Sequence, residues 1–152
     1  MELALRGFFV NISMKPFFYN ATVSRVVDGD TIIIDIDLGF DIILKKQSIR
    51  LKGVDTPECR TRNAIEKKAG LLAKSKVLSF CPEGSRIQVK TSLNKKGKYG
   101  RILGTIYVDD LNVNEYLIEN NYAVSYTGQA KSLVWQTHVE NFKKLEEKGE
   151  LL

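Results

Sequence analysis

Histidine is nearly absent from this chain. Its 152 residues hold one histidine, two cysteines, three prolines and one tryptophan. A single imidazole excludes His-rich zinc or iron clusters. Cys59 and Cys81 are too far apart for CxxC spacing, which argues against a disulfide framework or thiolate zinc site; two free thiols are the expectation, and a single bridge between them is the alternative. No stretch approaches the ~20 apolar residues of a membrane span. The first twenty residues, MELALRGFFVNISMKPFFYN, are mildly apolar but interrupted by Arg6, and their longest apolar run is too short for a signal-peptide core. They read as an arm or extension (1–20, with Met14 an alternative start) ahead of one domain at 21–152, and a cytoplasmic location is the default expectation.

What the chain has is lysine and arginine, unevenly placed. The net charge is +5, but from Lys45 to Arg101 there are 16 basic and 4 acidic residues, against 7 basic and 14 acidic elsewhere. Such asymmetry points to a polyanionic partner, nucleic acid first, or to a solvated lysine-rich face.

Turn residues and apolar periodicity set the element order. ATVSRVV at 21–27 reads as a strand closed by Asp28-Gly29, and DTIIIDID at 30–37 as a second, with Ile34 and Ile36 on the face opposite Asp35 and Asp37. A third strand spans 41–54. Asn63 followed by Glu66 is a capping box opening a helix striped by Ile65, Ala69, Leu72, Ala73 and Val77. Strands at 85–91 and 101–108 flank the basic loop NKKGKYG. Asn112 with Glu115 caps a short helix, and Trp135, Val139, Phe142 and Leu145 stripe a last one that is expected to fray after Gly149. Five strands with a helix between the third and fourth predict an α+β, mainly β, fold: a five-stranded OB-fold barrel with about three helices. A five-stranded α+β sandwich is the alternative.

Three short stretches carry chemistry. In VVDGDT (26–31), Asp30 shares a strand face with Ile32, Ile34 and Ile36, which aims a carboxylate inward at the mouth of the barrel. A carboxylate there needs a cation, a hydrogen-bond network or water; the plainer reading is a hairpin turn with Asp30 in solvent. In RLKGVDTPE (50–58), Pro57 restricts the loop carrying Asp55, Thr56 and Glu58. Asp30, Asp55 and the Thr56 carbonyl offer the hard oxygen donors that calcium accepts. Alternation alone does not place Arg50 with Asp55; a bend at Gly53 is required. In KYGRI (98–102), Arg101 presents a fork suited to phosphate. Together these are sufficient parts for phosphodiester hydrolysis, with Asp30 and Asp55 for metal, Arg50 and Arg101 for phosphate and Glu58 for the water. Cys59 has no activating base and reads as an incidental thiol. His138 reads as a surface or satisfied histidine far from the acidic residues.

With VVDGDT, IRLKGVDTPE and KYGR in this order and spacing, the chain from about 21 to about 147 resembles the staphylococcal nuclease (thermonuclease) family. The resemblance implies a calcium-dependent phosphodiesterase on an OB-fold barrel, cutting DNA and RNA to leave 3′-phosphate ends. It further implies that Asp30, Asp55 and the Thr56 carbonyl bind calcium, with Asp28 reaching it through water. Glu58 is implied to act on the attacking water and Arg50 and Arg101 on the phosphate, while Lys98, Tyr99 and Tyr126 bind substrate. Tyr122 competes with Tyr126 for that role, because YAVSY does not set the register. DTPE is followed here by Cys59-Arg60-Thr61-Arg62 rather than a long lysine-rich loop. No protein partner is implied, a monomer is expected, and the family admits a secreted enzyme as well. The competing functional readings are a binding module that has lost catalysis, and a protein-interaction scaffold.

Overall fold

The computed structural model describes residues 16–96 and 101–151. The chain order is β1 (Phe18–Asp28), β2 (Thr31–Asp37), β3 (Ile43–Leu51), β4 (Val54–Asp55), α1 (Ala64–Phe80), β5 (Arg86–Lys96), β6 (Ile102–Val108), β7 (Leu111–Asn112), α2 (Val113–Glu119), β8 (Val124–Ser125) and α3 (Lys131–Glu147). The five long strands pair in the order β3-β2-β1-β5-β6. The barrel closes where β3 and β6 run parallel, Ile49 beside Ile102 and Arg50 beside Leu103. This is the OB-fold reading, and it displaces the sandwich, which would leave β3 and β6 apart.

Period-two alternation builds the wall. Ile32, Ile34 and Ile36 are at most 2% exposed, while Asp35 points outward and takes the Lys46 N–H at 2.8 Å. β1 starts at Phe18, because Phe18, Tyr19 and Asn20 pair with Lys90, Val89 and Gln88. Strand pairing therefore begins inside the stretch that read as an arm; residues 1–15 lie outside the described residues, as does the centre of the basic loop with Lys98 and Tyr99.

Both expected helix caps form: Asn63 Oδ1 accepts the Glu66 N–H at 3.0 Å, and Asn112 Oδ1 accepts the Glu115 N–H at 3.1 Å. In α1 the buried face is Ala69, Gly70, Ala73 and Val77, and Ile65, placed in the stripe from sequence, is exposed. The stripe of α3 is turned by about one residue. Val134, His138, Asn141, Phe142 and Leu145 are buried, whereas Trp135 is 40% exposed.

The chain does not fray after Gly149. That glycine takes φ +75°, a left-handed value that ends a helix at little cost. Glu150 N–H then bonds back to Leu145 O at 2.9 Å, and Leu151 joins the core. Buried Asn114 ties α2 to the barrel seam, donating to Lys52 O at 3.0 Å and Gly104 O at 3.2 Å while accepting the Ile106 N–H. That bond holds the Lys52-Gly53 turn from which the next site residues hang. Both cysteines are free thiols.

Candidate active site

Asp28 and Thr31 face each other across the β1–β2 hairpin, leaving Gly29-Asp30 as its tip. Asp28 Oδ1 accepts the Asp30 N–H at 3.2 Å, the local bond by which aspartates favour turns. Asp28 is thus a turn residue as the plain reading held, but Asp30 is not lost to solvent. Its side chain is 14% exposed. Its Oδ2 meets the Thr56 N–H at 3.2 Å and Arg50 Nη1 at 3.1 Å. Its backbone oxygen accepts Leu51 N–H at 2.8 Å.

Gly29 is what lets the two motifs touch. A Cβ there would lie 2.9 Å from Thr56 Cγ2 and 2.9 Å from Ala73 Cβ, closer than real side chains approach. The hairpin tip, the DTPE loop and α1 therefore meet at one point.

The bend needed to bring Arg50 to Asp55 exists. Gly53 has φ +73°, a conformation that disfavours other residues. The chain reverses there into β4, so that Arg50 Nη1 donates to Val54 O at 2.7 Å and Nη2 stands 3.6 Å from Asp55 Oδ1. Arg50 thus spans both acidic residues proposed from sequence. β4 pairs with β8, Asp55 opposite Val124, and Tyr126 N–H bonds Gly53 O at 2.8 Å. Tyr126 therefore lines the cleft, whereas Tyr122 is buried with its hydroxyl donating to Glu150 Oε1 at 2.6 Å.

A cleft of about 470 Å³ has Arg50, Asp55, Thr56 and Glu58 on the barrel side and residues of α3 opposite. Glu58 sits at its rim. Partial burial raises the Glu58 carboxyl, with Asp30 and Asp55 adding to the rise and Arg50 opposing it. Arg101 is half-buried and does not line this cleft. The β3–β6 register leaves its Cα roughly 8 Å from that of Arg50 by strand spacings.

His138 corrects the sequence reading. It does not lie far from the acidic residues: Nε2 is 2.7 Å from Asp55 Oδ2, and the side chain is only 5% exposed. An ionised carboxylate only accepts, so Nε2 carries the hydrogen, while the buried Nδ1 has no partner among the described residues. The contact joins residues 83 apart in sequence. A lone histidine gave no sign of it; its place one turn from Phe142 on the buried face would have been the only hint.

The donors suit a hard cation. Asp30, Asp55 and Thr56 offer oxygen only, in a place already crowded with negative charge. Among the described residues no three His, Cys, Asp or Glu side chains are gathered as a ready cage. Backbone oxygen and water would have to complete a coordination shell, which calcium tolerates.

Residues 48–150 match the family described as Staphylococcal nuclease homologue, more than half of the chain. The chain belongs to that family. Its curated nuclease relatives include the thermonuclease of Staphylococcus intermedius, 36% identical over 66% of this chain and 56% of the relative. The SPbeta prophage-derived endonuclease YokF of Bacillus subtilis is 28% identical over 86% of this chain and 41% of its own length. Endonuclease YhcR of Bacillus subtilis is 33% identical over 71% of this chain but only 9% of its own. The match thus spans just over half of the thermonuclease, less than half of YokF and under a tenth of YhcR.

The crowding in this nuclease-family site makes a stability prediction. Burial, then Asp30, raises the Asp28 carboxyl from 3.8 to about 6. The folded state therefore holds that proton more tightly than the unfolded state. Stability from this group is greatest below about pH 4, falls as pH rises toward about 6, and stays lower above. Asn at 28 keeps the turn acceptor without the charge. Asp28→Asn is expected to stabilise the ion-free protein by about 1 kcal/mol above about pH 7, after discounting for solvent screening, and by little near pH 4. Thermal melts at the two pH values check it; an equal shift at both would exclude the charge explanation.

Proposed function

We propose that this domain is a calcium-dependent nuclease, hydrolysing phosphodiester bonds of DNA and RNA and leaving 3′-phosphate ends. The observation that carries this reading is Arg50 held between Asp30 and Asp55, with Glu58 on the rim of the same cleft. Asp30, Asp55 and the Thr56 carbonyl would hold the ion, and Asp28 would face it through water. Bound calcium would supply charge neutralisation on the phosphate and an oriented water.

The chain's own groups account for the rest. Glu58 accepts a proton from the water as its oxygen bonds to phosphorus. The bond from phosphorus to the 5′ oxygen breaks, and that oxygen leaves with a proton drawn from solvent. Arg50 and Arg101 supply guanidinium donors to the charge that builds on the phosphate oxygens. The raised Glu58 carboxyl predicts cleavage that increases with pH as this base ionises.

The test is cleavage of single-stranded DNA with calcium, with magnesium and with a chelator, with Glu58→Gln beside the unmodified chain. Cleavage is expected to require calcium and to fall by about 10²–10⁴-fold in the variant. DNA binding without cutting under any ion would replace the nuclease with the binding module.

A further inference from the structure

α3 brings to the cleft two side chains that the hydrolysis does not use. Trp135 is one turn after Lys131, an i, i+4 pair on one helix face, and both line the cleft that holds Arg50, Asp55 and Glu58. The indole is set by its neighbours, edge-on to Phe142 at 5.9 Å and 76° and tilted against His138 at 6.5 Å. Those contacts fix the ring along one side. They do not bury it, since 40% remains exposed. The core positions of α3 are filled by Val134, His138, Phe142 and Leu145, so Trp135 is not needed to seal the interior. Lys131 makes no ion pair with any described residue. Tyr126, also 45% exposed, lines the same cleft.

We propose that Trp135 and Lys131 form a nucleotide subsite on the α3 wall, taking the base and phosphate adjoining the bond over Glu58. A ring held in place and open on one side is a stacking platform. Every nucleobase has a face to lay on it. Lys131 supplies a point charge for the phosphate of that nucleotide. The acidic residues lining the cleft, Asp55, Glu58 and Glu66, repel a second phosphate from the barrel side and favour seating it against the helix. The subsite rests on the cleft being a nucleic-acid site, and it would fix the polynucleotide on the side away from Arg50.

Trp135 is the chain's single tryptophan, so indole emission reports this position alone. The experiment titrates the full chain carrying Glu58→Gln, which leaves the probe uncut, with a single-stranded thymidine octanucleotide. Saturable quenching of the indole is expected. In the active chain, Trp135→Ala is expected to raise KM about tenfold, because a base loses its stacking platform, with the effect on KM rather than kcat. Trp135→Phe restores most of it. Lys131→Ala weakens binding and lowers its salt slope by about one. Oligonucleotide binding, seen by anisotropy, with indole emission unchanged would overturn the proposal. So would an unchanged KM in Trp135→Ala. Quenching with no cutting by the active chain under any ion would sink the nuclease and keep the subsite. Cutting without quenching would do the reverse. The titration does not depend on Trp135 variants, so a misfolded Trp135→Ala would not hide the answer.

Discussion

Arg50→Ala should lower kcat by about 10³-fold or more, the range seen when an arginine or oxyanion donor to a transition state is removed. The same change should tighten divalent-ion binding, because it removes a cation 3.1 Å from Asp30 and 3.6 Å from Asp55. Opposite signs in the two measurements are the mark of this arrangement. A residue that merely propped up the barrel would lose both together. Arg50→Lys should not rescue activity. Only a planar fork can reach Val54 O at 2.7 Å and both carboxylates at once, and an ammonium group offers one point of charge. Steady-state cleavage and ion-binding calorimetry on both variants decide it. Full activity in Arg50→Lys, or weaker ion binding in Arg50→Ala, would contradict this account of the site.

Gly70→Ala is expected to destabilise the protein by about 1–3 kcal/mol, although alanine is the better helix former by about 1 kcal/mol. A Cβ at 70 would stand 2.6 Å from Glu58 O and 2.7 Å from both Glu58 C and Pro57 O. All three are backbone atoms, so no side-chain rotation relieves the clash. Either α1 withdraws from the barrel or the DTPE segment moves with Glu58. The second outcome carries a catalytic penalty, since a displacement near 1 Å can cost about 10²-fold. Denaturant unfolding measures the first effect, and kcat at a temperature where the variant stays folded measures the second. A neutral or stabilising result would mean that helix propensity outweighs this contact.

The parts of the site that were legible in sequence are those whose causes are local. Asp28-Gly29 announces a turn, the isoleucines of 32–36 announce a strand face, and Asn63 with Glu66 announces a helix start. Gly53 was readable as the bend that Arg50 required. What escaped depends on contacts distant in the chain. Trp135 looked like core by its chemistry, yet the helix is turned by the burial of His138 and Asn141, two polar residues that pattern reading leaves out. His138 is buried because Asp55 receives it, and nothing near either residue encodes the other. Leu151 returns to the core through a glycine turn that sequence alone presented as a loose end. The strand start at Phe18 is set by β5, about 70 residues further on.

The order of the chain is also an order in time. Synthesis runs from the amino end, and structure tends to form in the same direction. Asp30, Arg50, Asp55, Glu58 and Arg101 have all been made before the first residue of α3, Lys131, is added. Until α3 docks, the cleft lacks its far wall and Asp55 lacks the His138 contact. A nascent chain therefore has its acids and arginines well before it has a finished cleft.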